Sequence, residues 1–142
     1  MTYLSGCSSP GGGISEYLVA IWAEENSALG AANQYEWAFG NGANTPAAGG
    51  VVIYVPGDFS CEIVAMSAHI GGGTPSATIE AVLNGTPQGA AANVVLSSTA
   101  DSVNELGTPV AVSSGDRIGF RTTSSSGTAG PCTVTAWLRY YQ

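Results

Sequence analysis

Turn-forming clusters cut this chain into short pieces. They are NGANTPAAGG (41–50), PGDFS (56–60), GGGTP (71–75), NGTPQGAA (84–91), SSGD (113–116) and SSSGTAGP (124–131). Gly supplies positive φ, Pro fixes φ, and Asn, Asp and Ser bond their own backbone, so each cluster stops whatever element precedes it. The segments between them are too short for a helical core. They read instead as strands: SEYLVAIWA (15–23), QYEWAFG (34–40), GVVIYVP (50–56), CEIVAMSAHI (61–70), SATIEAVLN (76–84), NVVLSS (93–98), PVAVS (109–113), RIGFRTT (117–123) and TVTAWLRYYQ (133–142). Only AEENSALGAA (23–32) could pass for a helix, and its Gly and Asn fit a strand-edge loop equally well.

Several segments alternate with period two, as half-buried strands do. In the last, Val134, Ala136, Leu138 and Tyr140 face one way and Thr135, Trp137, Arg139 and Tyr141 the other. In 62–70 the same pattern sets Val64, Met66, Ala68 and Ile70 against Ile63, Ala65, Ser67 and His69. Ile118 and Phe120 face inward between Arg117, Gly119 and Arg121. About nine such strands in one 142-residue chain predict an all-β domain, a two-sheet jelly-roll sandwich spanning 15–142. Residues 1–14, with SGCSSPGGG at 5–13, read as a flexible attachment arm. A chain of this size buries roughly two-thirds of its unfolded surface and needs no staple.

Charge narrows the partners. Charged residues make up 9% of the chain; there is no Lys, and Arg117, Arg121 and Arg139 stand against ten Asp and Glu for a net charge of −7. That balance argues against nucleic acid, whose binding needs Lys and Arg to displace counterions, and against an anionic membrane surface. The start of the chain has neither a basic nor an apolar leader, and Tyr17–Ala23 is too short to span a bilayer. A surface so poor in charge suits a chain covered by copies of itself.

Catalytic parts are scarce. Histidine-based nucleophilic catalysis would have to run through His69, the single histidine, which sits mid-strand without a motif and reads as structural. Glu24 and Glu25 are adjacent and diverge, and Glu62 and Glu80 lie in separate strands, so no glycosidase pair stands out. Asp58 and Asp116 fit turns. No loop has the density of oxygen ligands that calcium needs, and Cys7, Cys61 and Cys132 lack the paired spacing of a zinc site. Cys61 and Cys132 are either two small buried hydrophobes or, if their strands are neighbours, a disulfide; Cys7 reads as free. No catalytic, metal or cofactor residue is expected, and an enzyme is not.

The aromatics say more. Trp22, Trp37 and Trp137, with Tyr3, Tyr17, Tyr35, Tyr54, Tyr140 and Tyr141, gather at the two chain ends and in YEWAF. Core packing of terminal strands is the plain reading; contact across a subunit interface, where Trp and Tyr are enriched, is the sharper one, and a stacking platform for sugars is a third.

Three stretches taken together resemble a known family: WAEEN (22–26) followed by QYEWAFGNG (34–42), VAVSSGDRIGFRTTS (110–124), and TVTAWLRYY (133–141). They are similar to the trimeric TNF-like (complement-type) jelly-roll domains of bacteriophage virion surface proteins, found in capsid decoration proteins, head fibres and tail-fibre knobs. The resemblance implies a homotrimer with the terminal strands central in the inner sheet, and no catalytic residues. Tyr17, Trp22, Trp37, Trp137 and Tyr141 become trimer-interface candidates, and Tyr3, Leu4 and Cys7 capsid-attachment candidates. The expected function is a structural protein on the outer surface of the virion, a capsid decoration (cement) or head-fibre protein gripping the major capsid protein or another virion protein. The alternative is a receptor-binding knob of a tail fibre or needle touching a host glycan or protein, with loops such as 41–49, 84–92 and 124–131 in contact. A free carbohydrate-binding module is a third class.

Overall fold

A computed structural model describes residues 16–25, 51–73, 76–97, 101–126 and 132–142. Nine strands appear in chain order: β1 (Glu16–Glu25), β2 (Val51–Val52), β3 (Ser60–Ile70), β4 (Ser76–Leu83), β5 (Thr86–Pro87), β6 (Asn93–Ser97), β7 (Asp101–Val112), β8 (Arg117–Ser126) and β9 (Cys132–Tyr141). They form two antiparallel sheets. One runs β1-β9-β3-β7; the other runs β2-β8-β4, with β5 and β6 both paired to β4. If the short β5 is counted as part of the β4–β6 connection, the eight remaining strands, lettered B to I, fall in the orders BIDG and CHEF. That interleaving of early and late strands is the jelly-roll topology, and it follows here from the pairing alone.

The sheets pack through the residues that alternation selects. Val134, Ala136, Leu138 and Tyr140 of β9 are buried, as the period-two reading requires, and so are Ile118 and Phe120 of β8. Phe120, Ile63, Met66, Ile70, Ile79, Leu96 and Leu138 are the largest side chains fully removed from water. Each such side chain contributes about 1.5–3 kcal/mol of transfer free energy.

In β3 the expected alternation fails, and the reason is a bulge. Against both neighbours β3 shifts register between Ile63 and Ala65, so Val64 has no opposite residue. The extra residue reverses the phase: Cys61 and Ile63 before it, and Met66, Ala68 and Ile70 after it, all face the core. The expected pairing of Val64 with the core face is therefore corrected. Opposite the bulge β7 makes its own excursion through Leu106–Pro109.

The first eight residues of β7, 101–108, were not among the strands expected from sequence. Their core-side positions are Ser102, Asn104 and Leu106, so two of the three are polar. They are accommodated by hydrogen bonds to β6: Ser102 Oγ donates to the Val95 carbonyl at 2.7 Å and Asn104 Nδ2 to the Asn93 carbonyl at 2.7 Å. Polar side chains here tie one sheet to the other where an apolar face would otherwise have signalled the strand.

Turn chemistry follows the residue types. Asn84 (φ 53°) and Gly85 (φ 79°) close a two-residue hairpin between paired Leu83 and Thr86. Asp116 Oδ2 accepts from the Ser113 amide at 2.7 Å, the self-bonded turn expected of SGD, with Gly115 at φ 92°.

Cys61 and Cys132 are both buried and are not bonded to each other. Their strands are neighbours, but Cys61 sits opposite Tyr140 and Cys132 opposite Ile70, at opposite ends of the ladder. That is roughly 28 Å along the strands, where a disulfide needs Cα atoms within about 7 Å.

Candidate assembly face

The register of the β1-β9-β3-β7 sheet arranges its outward side chains in rows across four strands. The first row is Glu24, Thr133, His69 and Asp101; the second is Trp22, Thr135, Ser67 and Val103; the third is Ala20, Trp137, Ala65 and Glu105. The fourth is Leu18, Arg139, Glu62 and Ala111, and Glu16, Tyr141 and Ser60 close the series. The centre, rows two and three with Leu18 beside them, is mainly apolar, with Thr135, Ser67 and Glu105 as its polar members, and the two ends are charged.

That centre is open. Leu18 and Trp22 are each 42% exposed and Val103 is 69% exposed. A groove of about 540 Å³ runs across it, lined by Leu18, Val64, Val103, Leu106, Pro109 and Trp137, with Arg139 and Glu105 as its charged members. The bulge at Val64 and the excursion of β7 shape it. Trp137 is held by a hydrogen bond from its Nε1 to Ser67 Oγ at 3.3 Å.

The charged end is organised by one guanidinium. Arg139 Nε donates to Glu62 Oε1 at 2.8 Å, Nη2 reaches the same oxygen, and Nη1 lies 3.8 Å from Glu16 Oε1. The guanidinium also stands 5.5 Å from the centroid of the Tyr141 ring. The Glu62 hydrogen bond pushes the Arg139 pKa further above its already high value. At the opposite end His69 Nδ1 lies 2.6 Å from Asp101 Oδ1, directly across β3 and β7. Both side chains are exposed, and the pair cross-links two strands.

The interface candidates separate by face. Trp22, Trp137 and Tyr141 lie on the outward face. Tyr17 does not: its ring stacks on Tyr140 with centroids 5.0 Å apart, tilts against Phe59 at 5.5 Å, and packs on the core between the sheets. The alternation of β1 puts Tyr17 with Ile21 and Ala23, on the opposite side from Trp22, which is a correction to its candidacy. Trp37, Tyr3, Leu4 and Cys7 lie outside the described residues, as do the 1–14 arm and the 34–40 segment.

Leu18, Ala20, Val64 and Val103 belong to the face and were not singled out by sequence. The signal was present for β1: EYLVAIWA is apolar on both faces, Tyr17, Val19, Ile21 and Ala23 on one and Leu18, Ala20 and Trp22 on the other. Such a run belongs to a strand covered on both sides. The second sheet covers only one of them. Among the described residues no group of three or more His, Cys, Asp or Glu is placed to hold a metal ion.

No family model matches the sequence, and no curated protein does either. Some solved structures are similar to the chain at low identity. One is an acid-stable capsid of Helicobacter pylori bacteriophage KHP30, 10% identical over 89% of this chain and 93% of that one, with a TM-score of 0.46. Another is the capsid asymmetric unit of cyanophage Pam1, 14% identical over 96% and 92%, TM-score 0.36. A third is the carbohydrate-binding module CBM36 in complex with calcium and xylotriose, 12% identical over 86% and 98%, TM-score 0.38.

Proposed function

We propose that this chain is a bacteriophage virion structural protein that assembles through the outward face of β1-β9-β3-β7 into a homotrimer on the outer surface of the capsid, as a decoration (cement) or head-fibre protein. The observation that carries the proposal is the strand β1, apolar on both faces and covered by the fold on one. A second copy of the chain supplies the missing cover. Four strands about 4.8 Å apart and ten residues long present about 600 Å² of face. A ring requires contact between unlike patches of successive copies, which a face of several distinct rows provides. The resemblance of WAEEN, GDRIGFRT and the last strand to phage surface domains supplies the virion context. A trimer gripping several capsid subunits stabilises the shell because it binds only the assembled form. The reading assigns the chain no catalytic role.

Cryo-imaging of purified particles tests this. Density for the jelly roll on the capsid surface is expected, and its absence there overturns the proposal.

A second reading, a receptor-binding knob, is supported by the loop end of the sandwich, where the 83–86 and 113–116 turns are hydrogen-bonded into one exposed, preformed surface: Asn84 Nδ2 donates to Asp116 Oδ1 at 2.7 Å and Asn84 Oδ1 accepts from the Arg117 amide at 2.9 Å. Particles lacking the protein that still adsorb normally to their host would remove that reading.

A further inference from the structure

The second sheet carries an exposed feature that the assembly face does not use. Tyr54 is 77% exposed and Val52 56%, while Ile53 and Val55 between and after them are buried. The backbone presenting the ring is pinned. The Ile53 amide donates to the Asp116 carbonyl at 2.8 Å, the Gly115 amide to the Ile53 carbonyl at 2.8 Å, and the Val55 amide to Ser114 Oγ at 3.2 Å. An aromatic ring held outward on a fixed backbone is preorganised for contact, because little order remains to be lost on binding.

A cation stands beside it. Of the three cationic side chains, Arg121 pairs with Glu80 and Arg139 with Glu62 and Glu16. Arg117 is exposed, and its guanidinium has no carboxylate partner among the described residues. It lies directly opposite Val52 in the β2–β8 ladder, and its neighbours Ile118 and Phe120 turn inward. Arg117, Val52 and Tyr54 therefore share the outward face. At the same end Asn84 donates to Asp116 and accepts from the Arg117 amide, and Asp116 also accepts from the Ser113 amide, which fixes both planar groups and leaves lone pairs open to solvent.

We propose that Tyr54, Arg117, Asn84 and Asp116 form a binding site for a carboxylate-bearing saccharide, such as a chain containing uronic acid. The Tyr54 ring offers a flat apolar face to the C–H side of a pyranose. The Arg117 fork matches a carboxylate in a bidentate contact, in a protein whose net charge of −7 otherwise repels anions. Asn84 and Asp116 meet hydroxyls. A protein partner fits less well, since an interface hot spot sits at the centre of a larger packed patch that excludes water, and here Val52 and Tyr54 stand alone among Ser113, Ser114, Gly115, Asn84 and Asp116. The site rests on the fold and stands whether the chain acts as decoration or as a knob.

Isothermal titration of the full chain with oligogalacturonate, a neutral galactan oligomer of equal length and poly-glutamate tests it, with the oligomeric mass measured on the same sample so that assembly and binding are read separately. Saturable binding of oligogalacturonate is expected, with Tyr54→Ala and Arg117→Gln each weakening it about tenfold or more at unchanged thermal stability, and Val95→Thr on β6 leaving it unchanged. No binding of oligogalacturonate by the wild type overturns the proposal. So does equal binding of the neutral oligomer, or equal binding of poly-glutamate, which would identify an acidic protein as the partner.

Discussion

Trp22 of β1 and Trp137 of β9 stand on the same outward face of one sheet, in adjacent rows on adjoining strands, so two indoles share a surface that the second sheet never covers. If that surface is a subunit contact, Trp22→Asp places a charge in a desolvated interface and should drive the chain to a lower oligomeric state. Because Trp22 is 42% exposed in the single chain, the stability of the dissociated form should change by no more than about 1 kcal/mol. Size-exclusion with light scattering and a melt of the same sample check both parts.

Glu80 and Arg121 make a different kind of prediction. They face each other across β4 and β8, with Arg121 Nε donating to Glu80 Oε1 at 2.7 Å and Nη2 to the same oxygen. Glu80 is only 2% exposed, and a Cβ on Gly89 would lie 3.9 Å from its Oε2. Arg121→Met leaves a buried carboxylate without its partner and should cost about 3–5 kcal/mol in urea unfolding. The double variant Glu80→Met/Arg121→Met should recover most of that loss.

Thr122 points into the core beside Phe120, and its hydroxyl finds no hydrogen-bond partner among the described residues. Burying an unbonded hydroxyl costs about 1–3 kcal/mol. Thr122→Val keeps the shape and removes that cost, so the variant should be more stable by about 1 kcal/mol. A loss of stability would show that the hydroxyl is satisfied.

Burial pushes the Cys61 thiol up to about 11, from an ordinary 9.0, against the opposing effect of a hydrogen bond with Tyr140. Burial likewise raises the Tyr140 phenol above its usual 10.0. The unfolded chain gives up the Cys61 proton near pH 9 while the folded chain keeps it. Stability is therefore unaffected by this group below pH 9 and declines as pH rises from 9 toward 11. Denaturant titrations at pH 7, 9 and 10.5 should show the decline, and Cys61→Ala should delay its onset toward pH 10, where Tyr140 begins to contribute. Mapping of alkylated sites should find Cys61 and Cys132 protected in the native state at pH 8.

Most of the fold was legible because β8 and β9 keep the two-residue period: Ile118 and Phe120, and Val134, Ala136, Leu138 and Tyr140, are buried at alternate positions. Legibility ended where a local device broke the period. The extra residue Val64 reversed the phase of β3, and hydrogen bonds from Ser102 and Asn104 to β6 replaced the apolar face that would have announced β7. On the outward face of β1-β9-β3-β7 Trp22, Trp137 and Tyr141 were visible as aromatics on terminal strands. Tyr17 was misplaced because β1 is apolar on both sides, and alternation alone cannot say which side meets the second sheet. The pairing of His69 with Asp101 and of Arg139 with Glu62 joins residues far apart in the chain, and only the register of four strands brings them together.

The central claim is that the outward face of β1-β9-β3-β7 is covered by copies of the chain. Sedimentation velocity over a hundredfold range of protein concentration tests it most directly. The account predicts a species of three times the 14.2 kDa chain mass that persists on dilution for the wild type and is lost for Trp22→Asp. A wild-type chain that stays monomeric across the whole range would contradict it.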